Sequence, residues 1–129
     1  LRDLTIADFE NAARAVLAKL PAMFRDQLAG VVIQVEDFAT PEQLAAVGLS
    51  DPWHLTGLYE GVALPDQSQS DFATLPPVIS LFRQPLLEEM GETGVSFKDL
   101  VRHVVIHEAG HHFGFSDDDM HSLEDSVED

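Results

Sequence analysis

The sequence predicts one α+β domain over residues 1–129: a small mixed sheet of three to four strands, an N-terminal helix and a longer helix packed on it, and a short C-terminal helix. Three observations lead there. Helical and strand patterning alternate in the order helix, strand, helix, strand, strand, helix, helix. No internal repeat and no linker interrupts that order. A length of 129 residues is enough for one hydrophobic core and too short for two.

In the first helix Phe9, Ala13, Val16, Leu17 and Leu20 recur at helical spacing, so one side is buried. Thr5 caps it with Asp8 at the third helical position, Leu4 and Phe9 form a hydrophobic staple, and Pro21 breaks the run. Met23, Phe24 and Leu28 continue as a short turn closed by Gly30. Val31 to Val35 is short and β-branched, a strand ended by Glu36 and Asp37. Thr40, Pro41 and Gln43 supply the cap, first position and capping box of a short helix that Gly48 stops. Trp53 and His54 follow in a loop, where the tryptophan reads as a core anchor or as a pocket wall. Leu55 to Val62 gives the second strand. Ala63 to Pro77 is polar and aperiodic, a long loop that is either mobile or a lid over a cleft. Val78 to Arg83 alternates as the third strand, ended near Pro85; Leu86 to Met90 makes a short helix and Gly91 to Gly94 a turn. Ser96, with Asp99 three residues on, caps the long helix. The acidic tail from Asp118 to Asp129 reads as one helix with a frayed end, and Met120 as ordinary packing on it.

The long helix carries the chemistry. His107 and His111 are four apart, so their imidazoles reach one point in space, with Glu108 on the adjoining strip. A catalytic zinc takes such nitrogens plus a third protein ligand and keeps a position for water, whose proton a neighbouring carboxylate can remove. Glu108 is placed for that role. Gly114 suits the left-handed turn that ends a helix, after which the chain doubles back and Asp117 offers the nearest oxygen. Asp117 to Asp119 equally read as the acidic start of a helix, and His121, one turn later, is a rival third ligand. Two histidines and a glutamate also suit a plain solvated face. Against that, Val101, Val104, Val105, Ile106, Ala109 and Phe113 are apolar nearly all round the helix, where unpaired polar groups are costly. His112 points about 100° from His111 and cannot share its ion, and His103 is expected exposed or in support of the ligands.

The stretch His107-Glu108-Ala109-Gly110-His111-His112-Phe113-Gly114-Phe115-Ser116-Asp117 resembles the extended metal-binding motif of the zincin metallopeptidases, and looks most like the small single-domain minimal zincins. Gly57 to Gly61, Pro77 to Arg83 and Val101 to His103 are similar to that family as well. The resemblance implies a zincin-type active-site helix, Zn2+ on His107, His111 and Asp117, and Glu108 as general base in peptide hydrolysis. It also implies a peptide or protein substrate paired along the edge of the sheet, which places the third strand beside the cleft. Tyr59 becomes a candidate to steady an oxyanion, against the reading of a structural strand tyrosine. Two departures from larger zincins stand out: an aspartate replaces their third histidine, and Met120 is too close to Asp117 to form a separate methionine turn.

Composition narrows the partners. A net charge of −16 repels phosphate backbones and anionic lipid, so nucleic acid and membrane surfaces are not expected partners. The acidity suits basic peptides, or simply solubility. No apolar run approaches the roughly 20 residues of a membrane span, and a cytoplasmic location is expected. Without cysteine, histidine and carboxylate must do any coordination. The zinc peptidase has two rivals: a non-catalytic metal-bearing module that grips peptides, and a closed structural site in which His121 joins Asp117.

Overall fold

The computed structural model describes residues 3–61 and 76–126. The sheet has the order β1-β3-β2, with β1 at Val32–Glu36, β2 at Gly57–Glu60 and β3 at Val78–Phe82. β3 runs parallel to β1, placing Val35 beside Leu81, and antiparallel to β2, placing Gly57 beside Leu81 and Tyr59 beside Ile79. The expectation that the third strand forms the edge of the sheet is therefore corrected. Ile79, Ser80, Leu81 and Phe82 are buried on both faces, which suits a central strand, and the antiparallel edge belongs to β2.

Helix α1 (Ile6–Ala18) has the expected reciprocal box between Thr5 and Asp8, and buries Phe9, Ala13 and Val16. It lies with α5 (Phe97–Phe113) on one face of the sheet, where Val35, Ile79 and Leu81 meet Leu100, Val101, Val105, Ile106 and Ala109. Phe9 and Phe97 lock the two helices edge to face at 4.9 Å. The other face carries a smaller cluster of Leu58, Phe82, Ala39 and Leu44, the last from α3 (Pro41–Ala46), whose Thr40–Gln43 box is also formed. Helix α2 (Ala22–Gln27) joins α1 to β1.

Three local expectations change. Helix α4 (Arg83–Thr93) starts earlier and ends later than Leu86–Met90: Pro85 sits in its first turn, where a missing N–H costs nothing, and Gly94 at φ 74° ends it. Arg83 thus leaves the strand, and its guanidinium donates to the Leu4 carbonyl and to Asp37, tying the N-terminal segment to the sheet. Trp53 is not a core anchor; it is 42% exposed, with its ring edge-on to Phe38. Most of the Ala63–Pro77 loop lies outside the described residues.

Gly114, at φ 73°, closes α5. Its N–H bonds to the His111 carbonyl and that of Phe115 to the Gly110 carbonyl, the paired bonds of a Schellman turn. The chain then enters α6 (Asp117–Ser126), with Ser116 and Asp119 exchanging side-chain to main-chain bonds at 3.2 and 3.3 Å. Met120 packs against Gly110, where an added Cβ would lie 2.6 Å from its Cγ. The glycine inside the histidine motif is thus what lets α6 approach α5.

Candidate metal centre

The rings of His107 and His111 stand 5.2 Å apart between centroids at 83° to each other, and one donor atom each from His107, Glu108 and His111 lie within 4.8 Å of one another. Two ligands on a tetrahedral zinc lie roughly 3.4 Å apart, and donors grouped this closely suit a shared ion. The donors are nitrogen and oxygen, with His111 half exposed, which suits a borderline divalent ion with an accessible position. Asp117, the expected third ligand, is the first residue of α6, directly past the turn; its side chain lies outside the described residues. His121 is not among the three grouped residues; it lines a neighbouring cavity.

Glu108 owes its setting to β2. Phe82 N–H donates to the Thr56 carbonyl at 2.9 Å, which fixes the phase of the antiparallel ladder. Leu58 and Glu60 therefore turn their main-chain groups toward β3, while those of Gly57 and Tyr59 face the open edge. There the Tyr59 N–H donates to the Glu108 carboxylate. Gly57 makes this approach possible: a Cβ on it would lie 2.6 Å from Val104 Cγ1 and 3.5 Å from Glu108 Cγ. The Glu108 side chain is only 12% exposed. Burial pushes its pKa up to about 7, the Tyr59 N–H opposing in part. A carboxyl balanced near neutrality can both take and return a proton.

One helical turn after Glu108, His112 is buried, and its Nδ1 lies 2.8 Å from the Tyr59 hydroxyl. Burial raises the Tyr59 pKa and lowers that of His112, the Gln27 carbonyl opposing the latter in part. The hydroxyl thus stays protonated and shares a hydrogen bond with the His112 ring. Tyr59 is accordingly a structural strand tyrosine, its hydroxyl committed to His112. Sequence reasoning excluded His112 from the ion but missed this bond, which spans 53 positions and leaves no local signal.

A family model described as a zincin-like metallopeptidase matches residues 28–127. The chain belongs to that family. No curated protein matches it. A zincin-like metallopeptidase implies a metal, typically zinc, and His107, Glu108 and His111 form a candidate site for it. The matched span runs from the residue after α2 through α6, so in this zincin-like chain α1 and α2 both lie outside the match. Among the described residues of this zincin-like protein, no helix is long and apolar enough to cross a membrane.

Proposed function

We propose that the chain is a zinc-dependent peptidase that receives an extended peptide along the open edge of β2 and cleaves it beside Glu108. His107 and His111, with Asp117 as third ligand, would hold the ion. When bound, zinc supplies polarisation of a carbonyl and acidification of a water. Glu108 then takes the proton of the attacking water and hands it to the departing amine. The main-chain groups of Gly57 and the carbonyl of Tyr59 face away from β3, on the edge along which an added strand would pair.

The supporting observation is the coincidence of three things at one carboxyl: little exposure, a pKa near 7, and a position between the histidine pair and the edge strand β2. A merely solvated glutamate would have none of them. The experiment compares metal content and hydrolysis of a mixed peptide library for the wild type and Glu108→Gln. The variant keeps an acceptor for the Tyr59 N–H and is expected to retain zinc while losing turnover by at least about 100-fold. Equal turnover in the two proteins refutes the mechanism. Tight binding with intact peptide recovered, metal in place, would replace hydrolysis by capture.

A further inference from the structure

A groove lies away from the histidine pair, between α2 and α6. Its volume is about 390 Å³, and it is lined by Pro21, Phe24, Phe115, Asp119, Ser122 and Leu123. Positions 119, 122 and 123 share one face of α6, while Met120 turns to Gly110 on α5, so the helix divides its sides between the motif helix and this groove. None of His107, Glu108 and His111 lines it.

The floor is aromatic and braced. Phe24 stands edge to face with Phe113 at 5.1 Å and with Phe115 at 5.8 Å, and Phe113 stacks on Phe115 at 5.1 Å. Rings that hold one another this way leave a preformed apolar surface, which an incoming side chain need not order. Met23, the neighbour of Phe24 on α2, is 64% exposed, the most of any large apolar side chain among the described residues. Uncovered carbon gathered in one place marks a contact surface, as scattered single residues do not.

The rim is acidic. Helix α6 exposes Asp118, Asp119 and Asp125 and holds no lysine or arginine. The single cation of α2, Arg25, reaches back to the Ala18 carbonyl at 3.3 Å. A second copy of the chain would bring like charge against like, each at −16, and anionic lipid is repelled in the same way. What suits floor and rim together is an apolar anchor flanked by lysine or arginine.

We infer that the groove between α2 and α6 docks a basic amphipathic segment of a partner protein, with its apolar anchor on Phe24, Phe115 and Leu123 and its cations against Asp119 and the other aspartates of α6. The buried anchor supplies affinity, and the charges supply the rate of approach and the choice of partner. The inference does not rest on peptide hydrolysis, since no residue of the histidine motif takes part.

The probe is a synthetic helical peptide of leucine, phenylalanine and lysine, titrated into the full chain and followed by amide resonances. One control replaces each lysine by glutamate, and another replaces leucine and phenylalanine by serine. The basic peptide is expected to shift the amides of Phe24, Phe115, Ser122 and Leu123, and both controls to bind at least about tenfold more weakly. Ser122 is exposed, so Ser122→Arg adds bulk and positive charge to the groove without touching the core, and should weaken binding about tenfold. Asp119→Asn keeps an acceptor for the Ser116 N–H and should weaken it about threefold. Should Ser122→Arg misfold, Asp119→Asn and the two control peptides decide. Equal affinity of the acidic control overturns the inference. So do shifts confined to β2 and residues 107–111, which would place the peptide in the cleft beside Glu108. A dimer of the chain alone that Ser122→Arg dissolves would give the groove to a second copy and overturns it as well.

Discussion

Helix α5 has two faces that obey opposite rules. The outer stripe, His103, His107 and His111, is held open to ligands by being left polar. The inner face, Val101, Val105, Ile106 and Ala109, is fully withdrawn from water and packs on the sheet and α1. Rigidity comes from the second and chemistry from the first, and Glu108 lies on the seam between them. The difference teaches that the outer face works only while the inner one fixes where the helix sits.

Truncation of the inner face gives the largest expected effect on folding. Ile106 is fully buried, and Ile106→Ala is expected to cost about 2–5 kcal/mol in urea unfolding. Zinc stoichiometry of the fraction that remains folded should be unchanged, because no ligand is touched. A variant that keeps its stability but loses its metal would break the division between the faces.

Glu108 tests the seam. Its ordinary value is 4.5 and its folded value about 7, so between these the unfolded chain gives up a proton that the folded one keeps. The carboxyl's contribution is thus fully present below about pH 4.5 and is lost as pH rises through about 7. In chelator-treated protein the difference in stability between wild type and Glu108→Gln should fall by up to roughly 3 kcal/mol across that window. A difference that is flat in pH would place the carboxyl in water, on the outer face.

The contact of β2 with α5 is the next target. In Gly57→Ala the new methyl would meet Val104 Cγ1 at 2.6 Å, and the strand must retreat from the helix. A loss of about 1–3 kcal/mol is expected, in the range of overpacked sites. Under the peptidase reading kcat/KM falls while zinc content holds, since His107 and His111 stay in place. An unaltered stability would mean that β2 is not pressed against the helix.

The two faces were unequally readable in the sequence. His107, Glu108 and His111 declared themselves because a helix turns i, i+4 spacing into proximity, and the caps at Thr5 and Thr40 because both partners of each box are three residues apart. The same signature at Ser116 and Asp119 was within reach and passed unused; it fixes the start of α6. The edge strand was misplaced for a different reason. Strand order depends on contacts between Val32–Glu36 and Val78–Phe82, which no local pattern encodes, although the latter, apolar at every position but Ser80, already suited a centre better than an edge. Trp53 misled because size favours burial only where a core lies within reach.

The smallest effect isolates the Tyr59–His112 link on the inner face. Tyr59→Phe removes the hydroxyl from His112 Nδ1 and leaves a buried acceptor unsatisfied, at an expected cost of about 1–2 kcal/mol. His112→Phe removes the other partner, and because Tyr59 is less deeply buried its hydroxyl can turn to water at lower cost. The double variant should therefore be less destabilised than the sum of the singles, with a coupling on the order of 1 kcal/mol in a double-mutant cycle. Strict additivity would mean that the 2.8 Å contact carries no energy, and that β2 is held against α5 by Gly57 packing and the Tyr59 N–H alone.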